Sequence, residues 1–245
     1  MRFLILFLAS LWAGTQNALA GGGAFITLPS LMLTGMDALA ANMTSTIALF
    51  PAQVATGWSG RHDAAGAAGL PFRALLAISL AGGALGACLL LLTSSSFFAR
   101  LVPWLVLFAT VVFAWGSFAP RRQAGPGLNR VGAAGVQLVI SLYGGYFGGG
   151  IGFMMLAVLT TARLALRNAA ATKNVLVAVI NASAVAIFAF APQVRWRAAA
   201  VAACGAVLGG LLGTHLLRRV NERVLRVVVV LIGVTLTVGL FIRSS

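Results

Sequence analysis

Apolar runs follow one another along the whole chain and are separated by short polar intervals. The pattern predicts ten helical segments: residues 1–20, 24–33, 38–58, 70–93, 98–118, 131–147, 153–166, 169–191, 197–217 and 223–242. Most are close to the roughly 20 helical residues that cross a bilayer. The segments 24–33 and 153–166 are shorter. If each re-enters the membrane together with its neighbour, the number of full crossings falls to about eight.

Glycine and proline interrupt this pattern at defined places. Gly21–Gly23 precede the first short segment, and Gly148–Gly150 precede the second. Glycine weakens a helix and permits positive φ, so we expect broken helices near the membrane centre at both places. Asp37 is a predicted N-cap for the segment that follows it, and Pro51 predicts an interruption of that segment.

The two glycine runs belong to an internal repeat. An offset of 128 places seven residues of the first half on identical residues of the second: Gly21, Gly22, Phe25, Leu28, Leu31, Ala41 and Thr44 on Gly149, Gly150, Phe153, Leu156, Leu159, Ala169 and Thr172. An offset of 123 places Gly82-x-x-x-Gly86 on Gly205-x-x-x-Gly209. We predict an all-α polytopic membrane protein of two homologous halves, residues 1–118 and 131–245, with five helical elements each. Residues 119–130 form the polar linker.

The first segment has two interpretations. Residues 1–20 resemble a secretory signal, with one arginine, an apolar core and small residues at Ala18 and Ala20. In the second half, however, the equivalent apolar segment 131–147 precedes the glycines, and no peptidase could remove it as a leader. We therefore keep residues 1–20 as a helix.

Composition supports the membrane assignment. Hydrophobic residues make up 60% of the chain and charged residues 8%, against about one quarter charged in soluble domains, and the mean hydropathy is +1.01. The net charge of +14 does not indicate nucleic-acid binding, because the arginines lie between apolar runs, where the positive-inside rule explains them. Cys88 and Cys204 lie in apolar helices without ligand-like spacing, so we expect small packing residues.

The arginines also predict orientation. With five elements per half, the second half is inverted relative to the first, and most arginines then fall on one face. That face is cytoplasmic under the positive-inside rule. Both termini are then on the non-cytoplasmic side of an inner (plasma) membrane.

Polar side chains at matched spacing mark a candidate site. Thr46 and Gln53 are seven residues apart, as are their repeat partners Asn174 and Asn181, so two turns of helix put each pair on one face. Polar groups in apolar helices face another helix or a cavity. One interpretation is interhelical hydrogen bonding without a ligand. The other is a polar stripe around an anionic substrate.

The glycine breaks favour the second interpretation, and one lysine bears on it. Broken helices point their N-terminal N–H groups at anions, which here involves Gly22 and Gly150. Lys173 is the sole lysine and lies just before Asn174. It either snorkels to the interface or holds the anion's charge. Thr44 and Ser45 offer hydroxyl donors in the first half.

These residues resemble the sulfite exporter TauE/SafE family of membrane proteins. The resemblance is carried by the glycine turn before the short segment ending at Pro29, by the stretch from Ala41 through Asn42 to Thr46, and by Gly148–Gly150, Ala171–Asn174 and Asn181. It covers essentially the whole chain. It implies a helical transporter of two homologous halves for small anions such as sulfite, organosulfonates or carboxylates. Ala157 stands where the first copy has Pro29, a departure from symmetry.

Other chemistry is not indicated by the sequence. The chain has no Ser/His/Asp, paired-carboxylate or phosphate-loop arrangement, so we expect neither an enzyme nor a bound cofactor. His62 and His215 have no ligand company, so we expect no metal site. The expected partners are the lipid bilayer and a small anion. The alternative from a different class is a non-transporting membrane scaffold or assembly protein.

Overall fold

The computed structural model describes residues 2–19, 22–118, 129–216 and 222–244. Gly21, the possible cleavage site at Ala20 and the linker residues 119–128 lie outside these ranges. So does the side chain of His215.

The all-α prediction is confirmed. The helices are α1 (Arg2–Leu19), α2 (Ala24–Leu33), α3 (Ala38–Gly60), α4 (Phe72–Leu91), α5 (Ser95–Phe118), α6 (Arg130–Tyr146), α7 (Ile151–Thr161), α8 (Leu166–Phe188), α9 (Trp196–Leu216) and α10 (Glu222–Ser244). A 3₁₀ turn, Arg61–Asp63, follows α3. In the described part of the chain, five α-helices precede the linker and five follow it, and their lengths correspond in order.

Local signals explain the start of α3. The Asp37 side chain accepts a hydrogen bond from the Ala40 N–H at 3.0 Å, so the predicted N-cap is confirmed. The interruption predicted at Pro51 is wrong, because α3 is continuous from Ala38 to Gly60. Pro51 is exposed, and the helix continues past it with one backbone donor missing.

Three described helices have the length and composition of complete membrane spans: Phe72–Leu91, Ser95–Trp115 and Arg167–Phe188. Shorter apolar helices include Ala24–Leu33 and Ile151–Thr161. Many large apolar side chains point outward, among them Leu92, Val131 and Phe190. Such a surface suits lipid, and the chain is a multi-pass membrane protein.

The helices of one half pack against those of the other. The most extensive contacts are α1 with α9 and α4 with α6. The first pair is parallel: backbone near Phe7 meets Gly205, and Thr15 donates to the Gly209 carbonyl at 2.9 Å. The second pair is parallel as well, since Gln137 Nε2 donates to Ser79 Oγ at 2.8 Å and Gly86 meets the last turn of α6.

The G-x-x-x-G pairs lie at these two interfaces. Gly82 and Gly86 face α6, and Gly205 and Gly209 face α1, each close to partner backbone. Small residues at interfaces between membrane helices let backbones approach closely, and these glycines have that role here. The prediction for the cysteines is wrong, because Cys88 and Cys204 are exposed on the outer surface of their helices. A thiol is apolar enough to lie against lipid.

Equivalent helices of the two halves run antiparallel. Along α3 and α8, Gln53 bonds Asn181, and Gly60 meets Ala171, so one helix rises as the other descends. Along α5 and α10, Trp104 packs edge-on against Phe241, and Thr110 meets Gly233. The pairs α1–α9 and α4–α6, which join helices at different positions in the two halves, are parallel. The pairs α3–α8 and α5–α10, which join helices at the same position, are antiparallel.

This packing makes Gly86 a test position. A Cβ at Gly86 would meet backbone of Leu142 and Tyr146, whereas one at Gly135, on α6, would meet nothing within 4 Å. We expect Gly86→Ala to destabilise the protein by about 1–3 kcal/mol through overpacking and to lower Tm in detergent. Gly135→Ala is the control, with an unchanged or raised Tm, because alanine favours helix by about 1 kcal/mol. Equal Tm values for both variants would contradict the close packing of α4 on α6.

Candidate functional site

The second glycine break separates α6 from α7. α6 ends at Tyr146 and α7 begins at Ile151, and between them Gly148 and Gly150 have φ of +76° and +79°. Side chains with a Cβ rarely adopt this conformation, so glycine is required there. Among the described residues, the N–H groups of Ile151 and Gly152 have no hydrogen-bond acceptor. The first turn of α7 therefore presents free donors at the positive end of its dipole.

Lys173 approaches this turn from α8. Its Nζ lies 4.0 Å, and its Cδ 3.7 Å, from the position that a Cβ would take at Gly152. The missing side chain of Gly152 thus leaves room for the lysine stem against the helix start. Lys173 itself is only partly exposed, and no hydrogen bond or ion pair of its ammonium is found within the described ranges.

The two described aspartates are engaged elsewhere. Asp37 caps α3, and Asp63 forms an ion pair with Arg167 at 3.0 Å on the exposed start of α8. Within the described ranges, therefore, the ammonium and the start of α7 lie together without a counter-charge and form a positive region. Helix N-termini with free N–H groups are common anion-binding sites in proteins.

The other end of the break meets an amide pair. Asn181 Nδ2 donates to Gln53 Oε1 at 2.7 Å, which joins α8 to α3. Asn181 is 2% exposed, and its Oδ1 is buried without a hydrogen-bond partner among the described residues. That oxygen lies 4.0 Å from the position of a Cβ at Gly148. A buried acceptor without a donor costs about 1–3 kcal/mol, so this oxygen is a candidate contact for a bound group.

Two residues of α3 complete this end. Thr46 Oγ1 lies 3.7 Å from the same position beside Gly148 and donates its hydrogen to the Asn42 carbonyl at 3.0 Å. Asn42 Nδ2 donates to the Tyr146 carbonyl at 3.0 Å, in the last turn of α6. Asn42 therefore satisfies one carbonyl left free by the break.

The first glycine break is built differently. Gly22 has φ +78° and lies beside Phe25 and Gln16. The hydroxyls of Thr27 and Ser45 hydrogen-bond each other and connect α2 with α3. Ser45 is the repeat partner of Lys173. In the first half this position carries a hydroxyl that is hydrogen-bonded to Thr27, whereas in the second half it carries an ammonium without a described partner.

Thr44 on α3 and its repeat partner Thr172 on α8 each form a hydrogen bond to a loop. Thr44 Oγ1 accepts from the Arg195 N–H at 3.3 Å. Thr172 Oγ1 accepts from the Ala65 N–H at 2.8 Å. Each threonine therefore ties its helix to a loop of the other half. Nine residues further along each helix lie Gln53 and Asn181, which bond each other.

Most of the residues predicted from sequence lie around the second break. Asn42, Thr46, Gln53 and Asn181 form one polar group, and Lys173 lies at the other end of the break. Asn174 is partly buried, with its carbonyl against Gly57 of α3. Gly150 packs on Ala109 of α5. Gly22 and Ser45 contact residues of the first half, whereas Thr44 contacts the Arg195 loop of the second half.

Sequence reasoning missed Gly148, Gly152 and Thr27. Gly148 belongs to the glycine run that predicted the break, and Gly152 lies two residues beyond that run, in α7. A hydroxyl within the short apolar segment was the available signal for Thr27. What the sequence could not show is which of these glycines faces a charged side chain.

An apolar groove of about 460 Å³ lies elsewhere, between α2 and α10. Its lining includes Pro29, Leu33, Leu231 and Leu236. None of the predicted site residues and no charged side chain is among its described lining residues. Such a groove cannot stabilise an anion, so the second break is the better candidate for chemistry.

Comparison with known proteins agrees with this architecture. The family model described as sulfite exporter TauE/SafE matches residues 6–240. The chain belongs to the TauE/SafE family. The resemblance seen in the motifs is thereby confirmed, and family membership indicates a membrane transporter.

Curated relatives of this TauE/SafE chain carry transporter names. It is 29% identical over 239 residues to a probable membrane transporter protein of Haemophilus influenzae, covering 95% of this chain and 92% of that protein. It is 26% identical over 242 residues to the probable membrane transporter protein ORF9 of a Sinorhizobium species, covering 96% and 90%. It is 24% identical over 246 residues to the probable membrane transporter protein YfcA of Escherichia coli K12, covering 98% and 90%. No solved structure matches the chain.

Proposed function

We propose that this protein transports small oxyanions, sulfite or a related organosulfonate or carboxylate, and that the anion binds at the second glycine break. The observation that supports this most strongly is the position of Lys173 Nζ, 4.0 Å from where a Cβ would stand at Gly152. The free N–H groups of the first turn of α7 lie at the same place. Two sources of positive potential thus meet: the Lys173 ammonium and the start of α7, whose free N–H groups form the positive end of the helix dipole.

The energy available at such a site is adequate for selective binding. A unit charge 4 Å from the ammonium gains about 4 kcal/mol at an effective dielectric near 20. Desolvation of both ions offsets much of this, and the α7 N–H groups replace part of the lost hydration. An anion that leaves a cell with a negative interior gains a further 2.3 kcal/mol or so per charge per 100 mV, which favours export.

We further propose that the halves 1–118 and 131–245 are inverted repeats about an axis near the Gln53–Asn181 pair. The antiparallel course of α3 and α8 supports this, as does the hydrogen bond between two residues that are repeat partners. In the resulting alternation of directions, Arg61, Arg163 and Arg167 lie on one face, which the positive-inside rule makes cytoplasmic. Both termini then lie outside the cytoplasm of an inner (plasma) membrane.

The second candidate is a non-transporting scaffold, in which the polar groups only join helices. The Thr27–Ser45 pair and the two threonine contacts to loops have this joining role. The uncompensated ammonium at Lys173 and the unpartnered Asn181 Oδ1, each judged within the described ranges, favour transport, because joining helices requires neither.

Replacing Lys173 by methionine tests the site. Lys173→Met keeps most of the apolar stem and removes the charge, so we expect sulfite binding to weaken at least tenfold, equivalent to about 1.4 kcal/mol. The measurement is calorimetric or tryptophan-fluorescence titration of purified protein. Arg73→Met is the matched control, because Arg73 is exposed at the start of α4, and its affinity should equal that of wild type. Wild-type affinity in Lys173→Met, at unchanged Tm, would remove the lysine from the site.

The inverted arrangement predicts accessibility from opposite faces. In a variant with Cys88 and Cys204 replaced, single cysteines at His62 and at Pro192, both exposed in equivalent loops, should react with an impermeant thiol reagent from opposite sides of the membrane. The cysteine at His62 should react from the cytoplasmic side. Reaction of both cysteines from the same side would contradict inversion and leave parallel repeats.

A further inference from the structure

The two ends of the second break offer a ligand opposite kinds of hydrogen-bonding partner. At the α7 end there are donors, namely the Ile151 and Gly152 N–H groups and the Lys173 ammonium. At the α6 end, the space beside Gly148 is bordered by oxygens. The Gly144 carbonyl lies 3.5 Å, Thr46 Oγ1 3.7 Å and Asn181 Oδ1 4.0 Å from where a Cβ would stand.

The oxygens beside Gly148 have no hydrogen left to give. Thr46 donates its hydroxyl hydrogen to the Asn42 carbonyl, and the amide nitrogen of Asn181 donates to Gln53 Oε1. The Gly144 carbonyl lies in the last turn of α6, where the helix supplies no further donor and the dipole is negative. This end of the break therefore accepts hydrogen bonds and repels an oxygen that carries only lone pairs.

We propose that the substrate is bound as its singly protonated oxyanion, with its O–H directed at Asn181 Oδ1 and its charged oxygens directed at α7 and Lys173. This inference rests on the proposed function and specifies the form of the substrate. A sulfite dianion or a sulfonate has acceptor oxygens alone and leaves Asn181 Oδ1 unsatisfied. Hydrogen sulfite has one donor and several acceptors, which matches both ends of the break.

In this proposal the proton that crosses the membrane is bound to the substrate and not to a side chain of the protein. Lys173 is the ionisable side chain at the α7 end. The Tyr143 hydroxyl donates to the Leu105 carbonyl at 3.3 Å, and the Tyr146 hydroxyl pairs with Thr93 at 3.2 Å. Asp63 is held by Arg167. Among the described side chains no carboxylate is placed at the break, so in this proposal each anion carries its own proton across, and no bond to hydrogen is made or broken.

The orientation of the amide pair decides the preference. If both amides were reversed, Gln53 would donate to Asn181, and Asn181 Nδ2 would face the space beside Gly148. The site would then offer a donor at each end and bind the fully ionised oxyanion better. The two orientations therefore predict opposite dependence on pH.

The experiment compares binding of sulfite and of methanesulfonate to the purified full-length protein by calorimetry across the pH range in which hydrogen sulfite loses its proton. We expect hydrogen sulfite to bind at least tenfold more tightly than methanesulfonate. Above that ionisation, affinity for total sulfite should fall about tenfold for each pH unit. Methanesulfonate has no proton to lose there, so its constant affinity controls for titration of protein groups.

Two variants test the acceptors. Asn181→Ala should bind hydrogen sulfite no more tightly than methanesulfonate. Thr46→Val keeps the shape of the side chain and leaves the Gln53–Asn181 hydrogen bond intact. Because it removes one acceptor, the ratio of the affinities for hydrogen sulfite and methanesulfonate should fall about threefold. A Tm close to that of wild type for Thr46→Val shows that the fold is retained.

The outcomes separate the two proposals. Sulfite affinity that is constant or rises with pH, or methanesulfonate bound as tightly as hydrogen sulfite, would overturn the protonated form while leaving an anion site. Absence of binding by either anion would remove the proposed function and this inference with it.

Discussion

Backbone N–H and C=O groups within a bilayer must find partners inside the protein, because lipid offers none. A helix that breaks inside the membrane-embedded part of the chain leaves donors on one side of the break and acceptors on the other. At the second break, Asn42 takes up the Tyr146 carbonyl. The N–H groups at the start of α7 and the buried Asn181 Oδ1 have no partner in the described part of the chain. The candidate site follows from this unmet requirement more than from any single side chain.

The packing of the two halves supports the break. α1 packs on α9 and α4 packs on α6, so each half contacts the other. Glycines in these pairs allow the two helix backbones to approach closely. α3 and α8 meet at the Gln53–Asn181 pair, between the two threonine contacts to loops. This rigid frame brings Lys173 and Asn181, both on α8, to opposite ends of the same glycine run.

The two glycine breaks differ in the charge of the side chains beside them. Ser45 and Thr27 close the first break with a hydroxyl pair, whereas the equivalent positions of the second break carry Lys173 and Met155. Beside the second break the aromatic rings of Phe113 and Phe153 also pack together, 3.9 Å between centroids. Among the described contacts of the two breaks, a charged side chain lies beside the second one, which supports the proposed anion site there.

Much of this was predictable from sequence, for physical reasons. Helix number, glycine breaks and the Asp37 cap depend on local composition, and the offset of 128 identified Gln53 and Asn181 as partners. The stripe prediction treated both halves alike, and local sequence could not show that Ser45 meets Thr27 while Lys173 meets no partner in the described part of the chain. The interruption predicted at Pro51 was wrong because a proline removes only one hydrogen bond from α3, and the packing of the rest of the helix, which local sequence does not show, keeps it continuous.

The most direct test of the anion site is to locate a bound anion. Selenite is a heavier analogue of sulfite, and its anomalous scattering would place the selenium in a crystal of the protein. We predict a peak at the second break, within hydrogen-bond reach of Lys173 Nζ and the N–H groups at the start of α7. Peaks confined to exposed arginines such as Arg61, or to the groove between α2 and α10, would contradict an anion site at the break.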